Sequence, residues 1–318
     1  MWEIANFCLL LLLVIIVLTI LIISIWYYYK VRAYVDEAIS HIGSLIPTFD
    51  PYEFNDIDYS SLENIDFYSN SFSLDLSQFL CNINMSSYNI YSNFDARLDN
   101  KIKIDHTLGD SGYIYKFKHL EKDVIIFSFR GTKTADEVIT DLDSVQSEMN
   151  GYPADILVHR GFYRSWIPYK DEIKNYIKSA SDKDTIVLIT GHSLGCSSAL
   201  FTSLFVSQYC KNIQLYMFAP PRIGNQHLIK KLNEIVKNNY SIINVPDFIP
   251  TLPPMTLMTP GNTWIYENFS NRYQLDYQMG SMSLNHRLDV YLCGLDDKQK
   301  LCKDPIWKKI PVLTMNNL

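Results

Sequence analysis

The stretch that most constrains the fold of this chain is Thr185–Cys210. It opens with the apolar, mostly β-branched run Ile186–Ile189, breaks at the pentapeptide GHSLG and continues as an apolar-periodic segment, which predicts a strand, a sharp turn and a helix. The pentapeptide fits the G-x-S-x-G nucleophile elbow, in which small flanking residues let strand and helix approach closely. Ser193 is therefore a candidate nucleophile. The alternative is an ordinary turn whose serine caps the helix.

The composition is that of a folded chain with a large core. Of the 318 residues, 47% are hydrophobic and 19% are charged, which predicts one large domain with an appendage. The net charge of −6 argues against nucleic-acid binding, which usually needs a basic face. The six cysteines form no CxxC pair and no zinc-like cluster with histidine, so neither a metal nor a cofactor is predicted.

Two questions about processing stay open at the level of sequence. Spacing alone does not establish a Cys293–Cys302 disulfide. The N-x-S sequons at Asn84, Asn239 and Asn268 matter only if the domain faces a secretory lumen.

A membrane-spanning helix is predicted near the start of the sequence. Ile4–Tyr29 carries no charge over 26 residues, and as a helix rising about 1.5 Å per residue it would more than cross a hydrocarbon core of about 30 Å. A signal peptide is the weaker alternative, because the run is long, lacks a basic flank before it and ends in aromatic residues. Lys30 and Arg32 follow the span while Glu3 precedes it, which weakly favours the rest of the chain on the cytoplasmic side.

The region between the span and the main domain is predicted to be a tether. Residues 31–46 have the spacing of a short amphipathic helix, and from Pro47 to Asp75 the sequence is acidic and aromatic without a clear period. So many aromatic residues favour a segment that packs on the surface of the main domain over a flexible linker. The predicted organisation is an anchor over 1–30, a juxtamembrane helix and tether over 31–75, and one domain over 76–318.

The main domain alternates strand-like and helix-like segments. Besides the central stretch, strands are predicted at Gly112–His119, Asp123–Phe129, Ile213–Phe218 and Tyr240–Val245. Helices are predicted at Leu76–Phe94, Thr134–Val145, Trp166–Ala180 and Asn225–Asn239. Strands that alternate with helices at short spacing indicate an α/β fold with a mostly parallel central sheet flanked by helices.

Chain order restricts which histidine can serve Ser193. A serine hydroxyl needs a base to take its proton and a carboxylate to orient that base, and after a nucleophile elbow the partners follow in the order serine, acid, histidine. Only His227 and His286 follow Ser193, and no Asp or Glu lies between Ser193 and His227. His286 is therefore the candidate base.

Four carboxylates lie between the candidate nucleophile and base: Glu234, Asp247, Glu267 and Asp276. Asp247 directly follows a strand-like run, at the sheet edge where functional groups of parallel α/β sheets collect, and is strongly preferred. Glu234 lies among lysines on a solvated helix face, while Glu267 and Asp276 lie in polar loop sequence.

A tetrahedral intermediate also needs hydrogen-bond donors for its oxyanion. One is expected from the backbone N–H of Leu194 at the start of the helix, and a second from a loop after an earlier strand. Thr132 ends the sequence FRGT after the strand Asp123–Phe129 and can offer both its N–H and its hydroxyl. Arg130 is read as a structural charge.

Six motifs follow one another as FRGT (129–132), VHRGF (158–162), ITGHSLG (189–195), PRIG (221–224), VPDFIPTLPP (245–254) and a histidine ahead of RLDVYL. In this order they resemble the fungal-type, or class 3, lipases of the α/β-hydrolase fold. The resemblance covers about residues 76–294. It implies Ser193, Asp247 and His286 as a catalytic triad, with Thr132 and Leu194 as the oxyanion hole.

The resemblance further implies that Lys133–Leu142 is a lid over the nucleophile. This segment is only weakly amphipathic and carries several acidic residues, unlike a strongly interfacial lid. Cys196 stands where the family usually has another glycine, which is expected to crowd the contact between helix and strand slightly.

The expected function is a membrane-anchored serine carboxylic-ester hydrolase acting on acylglycerols, as a triacylglycerol or diacylglycerol lipase, through an acyl-enzyme on Ser193. The expected partners are a lipid or acyl-ester substrate and a membrane that receives Ile4–Tyr29. Phospholipase A1-type hydrolysis is the alternative within the family, although the acidic lid disfavours anionic phospholipids. A catalytically silent lipid-binding or adaptor protein on the same fold is the alternative from another class; loss of a triad member would favour it, and none is lost.

Overall fold

The computed structural model describes residues 64–88, 103–108, 112–131, 144–280 and 282–296, together with Thr19, Trp26 and Lys30. The chain divides into two compact units, Met1–Ile46 and Pro47–Leu318; the predicted domain boundaries after residues 30 and 75 stay predictions. Apart from Thr19 and Trp26, which are helical and exposed, the predicted span Ile4–Tyr29 lies outside the described residues. Within the described ranges, no helix has the length and hydropathy needed to cross a membrane.

A seven-stranded sheet organises the described part of the second unit. The strands of the described residues are β1 (Lys103–Thr107), β2 (Gly112–His119), β3 (Lys122–Phe129), β4 (Gln146–Glu148), β5 (Leu157–His159), β6 (Ile186–His192), β7 (Ile213–Phe218), β8 (Asn238–Asn244), β9 (Thr256–Thr259), β10 (Asn262–Ile265) and β11 (Arg272–Leu275). Of these, β4 pairs with β5 and β9 pairs with β10 in two separate two-stranded sheets, and the other seven form the large sheet. The sheet has the order β1-β2-β3-β6-β7-β8-β11. Its first three strands pair antiparallel and all later neighbours pair in parallel, which confirms the predicted mostly parallel sheet.

Helices cover both faces of this sheet. They are α1 (Leu74–Ser86), α2 (Arg160–Trp166), α3 (Lys170–Ala180), α4 (Gly195–Val206), α5 (Gln226–Ile235), α6 (Met282–Asn285) and α7 (Leu288–Leu295). Side chains alternate between the two faces along each strand. In β3, Phe127 and Phe129 therefore join the core under α2, α3, α4 and α5, whereas Val124 and Ile126 join the core under α1 and α7.

The helix after the elbow, α4, is buried along its whole length. A helix that is apolar on all sides belongs inside a protein or a membrane, and α4 lies inside this domain. Phe201 packs its ring against those of Tyr163 and Trp166 in α2, with centroids 5.3 and 5.8 Å away. The Trp166 indole N–H donates to the Thr202 hydroxyl (3.0 Å), so the polar atoms at this contact are paired.

Most differences from the predicted elements are at helix ends. The strands Gly112–His119 and Ile213–Phe218 have the predicted bounds, and β8 begins two residues before the predicted Tyr240. The helix predicted over Trp166–Ala180 is divided by a short 3₁₀ turn, Ile167–Tyr169, because Pro168 has no N–H to continue an α-helix. The helix predicted over Thr134–Val145 lies almost wholly outside the described residues.

The end of the predicted tether, residues 64–73, packs into the core rather than only on its surface. Phe67 is fully buried and lies edge-on to Phe79 and Phe117, with ring centroids 5.6 and 5.7 Å away. Phe72 stacks on Tyr273 of the edge strand β11 at 4.3 Å. The aromatic content of this segment therefore supplies core contacts.

Burial and pairing bear on the two open questions about processing. Cys293 is disulfide-bonded, and Cys302, its suggested partner, lies outside the described residues. The side chains of Asn84 and Asn239 are 0% and 1% exposed. A glycan cannot be accommodated at either asparagine in the folded domain.

Candidate active site

Ser193 lies on the sharp turn between β6 and α4, at the carboxyl edge of the parallel strands. Its φ is 55°, in the left-handed region that a residue with a side chain adopts only when its surroundings enforce it. The Ser193 N–H donates to the carbonyl of Phe218 at the end of β7 (2.9 Å). The turn is thus tied to the neighbouring strand.

Two glycines allow the turn to close. A side chain at Gly191 would collide with the carbonyl oxygen of Gly195, and a side chain at Gly195 would collide with the carbonyl oxygens of Phe129 and Arg130 at the end of β3. Because glycine has no Cβ, the first residue of α4 can rest directly on this backbone. The spacing of the G-x-S-x-G motif is therefore a packing requirement of three elements: β3, β6 and α4.

His286 connects Ser193 to Asp247. The Ser193 hydroxyl donates to His286 Nε2 (2.8 Å), and His286 Nδ1–H donates to Asp247 Oδ2 (2.8 Å). Asp247 follows β8 and is 3% exposed, and His286 lies in the connection between α6 and α7. The structure thus brings together the three residues predicted from chain order, in an arrangement that can pass a proton from a hydroxyl to an oriented imidazole.

A tyrosine that the sequence did not single out holds the carboxylate of Asp247. The Tyr291 hydroxyl donates to Asp247 Oδ2 (2.7 Å), and the Ile249 N–H donates to Oδ1 (3.0 Å). The Asn244 N–H in turn donates to the Tyr291 hydroxyl (3.1 Å). Burial raises the pKa of Tyr291 well above its ordinary value, and the negative charge of Asp247 raises it further. Tyr291 therefore stays a hydrogen-bond donor.

A second histidine lies behind His286. His192 precedes the nucleophile, is 1% exposed, and its ring centroid lies 4.7 Å from that of His286. Its Nε2 is 2.8 Å from the backbone oxygen of His286, and its Nδ1 is 2.7 Å from the Tyr88 hydroxyl. Burial lowers the pKa of His192 well below its ordinary value of 6.5, and the nearby His286 lowers it further.

Only one half of the predicted oxyanion hole falls in the described part of the chain. Leu194 is the N-cap of α4, so its N–H lies next to the first helical turn, where amides have no partner within the helix. Thr132 and the predicted lid Lys133–Leu142 lie outside the described residues. The last described residue before them, Gly131, passes close to the nucleophile: a Cβ there would come within 2.9 Å of Ser193 Cβ.

Cys196 occupies the space expected for a glycine without displacing the turn. Its single S–H lies within hydrogen-bonding distance of two carbonyl oxygens, those of Gly191 (3.2 Å) and Phe218 (3.1 Å). Burial raises the pKa of this thiol well above its ordinary value. A buried protonated thiol is a poor nucleophile, so Cys196 serves packing.

Two of the alternatives weighed from the sequence, Glu234 and His227, form ion pairs of their own. Glu234 pairs with Lys231 on the outer face of α5 (3.3 Å), as the sequence suggested. His227 pairs with Asp155 (3.2 Å), and both side chains are more than half exposed. No group of three or more His, Cys, Asp or Glu residues in the described ranges could hold a metal ion.

Comparisons with known proteins find lipases. Residues 126–257 match the family model for lipase (class 3). The chain is 28% identical over 157 residues to secreted mono- and diacylglycerol lipase A of Penicillium cyclopium, covering 48% of this chain and 50% of the relative. It is 23% identical over 194 residues to secreted mono- and diacylglycerol lipase 3 of Gibberella zeae, covering 55% and 60%. The chain thus spans about half to three fifths of the length of these relatives.

The solved structure of mono- and diacylglycerol lipase from Aspergillus oryzae superposes with a TM-score of 0.51 and 21% identity, covering 66% of this chain and 82% of that one. At this level of identity the likeness establishes the fold. The second unit therefore has the lipase-like α/β-hydrolase fold, and the sequence matches support the class 3 lipase family.

Replacing Tyr291 with phenylalanine tests the hydrogen bonding of Asp247. Tyr291→Phe removes one donor to Oδ2 but keeps the aromatic ring in its buried place, so we expect kcat to fall about tenfold because the carboxylate orients His286 less well. The measurement is kcat and KM on a soluble ester. Tyr273→Phe, in a half-buried tyrosine of β11 that stacks on Phe72, is the control; equal losses in both variants would contradict the role of Tyr291.

Proposed function

We propose that this chain is a serine carboxylic-ester hydrolase of the class 3 lipase family that acts on acylglycerols. The observation that carries the proposal is the continuous hydrogen-bonded series from the Ser193 hydroxyl through His286 to Asp247, with the nucleophile held on a strained turn at the carboxyl edge of the sheet. A silent adaptor on the same fold has no need for this series.

The geometry supports a two-step acyl transfer. Ser193 Oγ attacks the acyl carbonyl carbon while His286 Nε2 takes the hydroxyl proton. The ester C–O bond then breaks, and His286 returns the proton to the leaving alcohol, which leaves an acyl-enzyme on Ser193. Water attacks this second ester with His286 again as the base, and release of the fatty acid restores the serine. Asp247 stabilises the imidazolium of His286 in both steps. In this proposal the backbone N–H of Leu194 and a donor group of Thr132 hydrogen-bond to the oxyanion of each tetrahedral intermediate.

Exposed apolar side chains in the segment that follows Asp247 support a lipid as the source of the ester. Six of the large exposed hydrophobic residues in the described ranges lie between 245 and 265: Val245, Phe248, Leu252, Met255, Met258 and Ile265. We call them the apolar rim. The only charged residue between 245 and 265 is Asp247, which is buried. A run of exposed apolar side chains that starts beside Asp247 in the chain fits the boundary of a lipid phase better than a charged partner.

Arg222 braces the backbone in the middle of the apolar rim, around Leu252. Its guanidinium donates to the carbonyl oxygens of Thr251 and Pro253, and its Nε donates to Asn268 Oδ1 (2.9 Å). The backbone N–H of Arg222 also donates to the Leu252 carbonyl (2.7 Å). The exposed side chain of Leu252 therefore projects from a braced loop.

The names of the relatives, mono- and diacylglycerol lipases, support the same substrate class.

Replacing the nucleophile tests the reaction. Ser193→Ala is expected to lower kcat on tributyrin and on soluble p-nitrophenyl esters by several orders of magnitude, because the attacking oxygen is removed. A fluorophosphonate probe should label the wild-type chain once, at Ser193, and should not label the variant. Activity of Ser193→Ala near that of the wild type would refute the triad, and a folded wild-type chain that the probe never labels would favour the adaptor.

Replacing two rim residues tests the lipid surface separately from the chemistry. Met258 and Ile265 lie on the same face of the β9–β10 hairpin, because Met258 is opposite Thr263 and Ile265 is opposite Thr256. In the double variant Met258→Ser, Ile265→Ser, the rate of hydrolysis of emulsified acylglycerol is expected to fall about fivefold or more, because apolar contact with the lipid is lost. The rate of hydrolysis of a soluble ester should not change. Leu120→Ser, 73% exposed at the opposite edge of the sheet, is the control. Equal activity of all three proteins on the emulsion would contradict the proposal.

We also propose that Ile4–Tyr29 anchors the chain in a membrane, with a lipid substrate supplied from that membrane. Deletion of residues 1–30 is expected to move the protein from the membrane to the supernatant fraction, since the apolar run is the proposed attachment. Lys30 and Arg32 favour a catalytic unit on the cytoplasmic side, whereas a disulfide at Cys293 is typical of oxidising compartments. Protease protection of sealed vesicles separates the two orientations. Full-length protein that fractionates with the deletion variant would refute the anchor.

A further inference from the structure

We propose that His192 is a positioning residue that couples the base to the loop leading to the oxyanion hole, an inference that rests on the proposed hydrolase function. His192 touches neither the nucleophile's hydroxyl nor the carboxylate. Its ring instead joins the backbone of His286 to the hydroxyl of Tyr88, and through Tyr88 to the backbone of Gly131.

The proton positions on His192 follow from its partners. A carbonyl oxygen can only accept, so His192 Nε2 carries a proton and donates it to the backbone oxygen of His286 (2.8 Å). A neutral imidazole carries no proton on its other nitrogen, so Nδ1 accepts from the Tyr88 hydroxyl (2.7 Å). Both ring nitrogens are used, and neither bond faces solvent because His192 and Tyr88 are 1% and 7% exposed.

The other end of the connection is the turn after β3. The Gly131 N–H donates to the Tyr88 hydroxyl oxygen (2.6 Å). The same hydroxyl therefore accepts a hydrogen bond from the loop and donates one to His192. A Cβ on Gly131 would lie within 2.6 Å of the Tyr88 hydroxyl and 2.9 Å of Ser193 Cβ. Gly131 precedes Thr132, the proposed second oxyanion donor. The His192 ring is thus hydrogen-bonded to the backbone of His286 on one side and, through Tyr88, to the backbone of Gly131 on the other.

The neutral state of His192 suits the chemistry beside it. When His286 takes the proton of Ser193, a positive charge forms on a ring whose centroid lies 4.7 Å from that of His192. A second charged imidazole at this distance would oppose that step, whereas a neutral ring does not. His192 can therefore hold His286 from behind without competing for the proton.

A packing role alone makes a different prediction from a positioning role. If His192 only fills space, its replacement lowers stability and leaves the activity of the folded molecules intact. If it positions His286 and the donor loop, a displacement of a fraction of an ångström lowers kcat while substrate binding persists, because the reacting groups leave their near-attack geometry.

Three variants of the full-length chain test the proposal. His192→Leu removes both hydrogen bonds, Tyr88→Phe removes the hydroxyl between the loop and the ring, and His192→Gln keeps a side-chain donor and acceptor. We expect kcat on a soluble ester to fall about 10- to 100-fold in His192→Leu and Tyr88→Phe with KM little changed, and His192→Gln to recover part of the loss. The rate of fluorophosphonate labelling of Ser193 should follow kcat.

A spectroscopic measurement distinguishes positioning from lost stability. The proton between His286 Nδ1 and Asp247 is expected to give a low-field ¹H NMR signal in the wild type. This signal should shift or broaden in folded His192→Leu, since the base has moved relative to its carboxylate. His119→Gln is the matched control: His119 is a buried histidine (8% exposed) at the opposite edge of the sheet, and its replacement should leave kcat and the signal unchanged.

The outcomes separate the two proposals. Wild-type kcat and an unchanged low-field signal in folded His192→Leu would overturn the positioning role, as would wild-type kcat in Tyr88→Phe if the leucine variant does not fold. An inactive wild type, or an active Ser193→Ala, would instead overturn the hydrolase function itself.

Discussion

The site depends on the contact between the first residue of α4 and the end of β3. Gly195 rests on the carbonyl oxygens of Phe129 and Arg130, at a distance that no residue with a side chain could reach. This contact forces Ser193 into the left-handed region and raises it above the sheet edge. From this start α4 runs within the core that it shares with side chains of α2, α3 and α5, and it is therefore wholly buried.

The polar groups above this contact form a buried network in a mainly apolar region. Asp247 receives hydrogen bonds from His286, Tyr291 and the Ile249 backbone, which offsets the cost of burying a carboxylate. His192 satisfies the backbone oxygen of His286 while remaining uncharged. Ser193 and His286 exchange the proton in the proposed reaction, while Asp247, Tyr291 and His192 around them keep their protonation states, and such an arrangement is preorganised for charge separation.

The sequence predicted those features that follow from chain order and local chemistry. The parallel strands, the strained turn and the association of Ser193 with Asp247 and His286 each had a local or ordered signature. Tyr291 and Tyr88 have no such signature in the sequence, because their roles depend on which helix packs over the sheet edge. Tyr291 lies within the motif RLDVYL that follows His286, but the motif does not indicate that it is a partner of Asp247. His192 was visible inside GHSLG, yet only its burial between two backbones distinguishes it from a filler residue. The tether is predicted to pack on the surface of the main domain, whereas Phe67 near its end is buried in the core, because the end of a tether and the edge of a core have similar composition. The lid and Thr132 lie outside the described residues and stay predictions.

The chain distances within the triad have a consequence for the protein during its synthesis. His286 follows Ser193 by 93 residues, and Asp247, Tyr291 and α7 all lie on the carboxyl side of the elbow. A nascent chain that has reached only Asp247 contains a nucleophile and an acid but no base to join them. Its serine is therefore an ordinary alcohol, and hydrolytic competence begins only when the connection between α6 and α7 brings His286 to the sheet edge, so that activity reports the folding of this part of the chain.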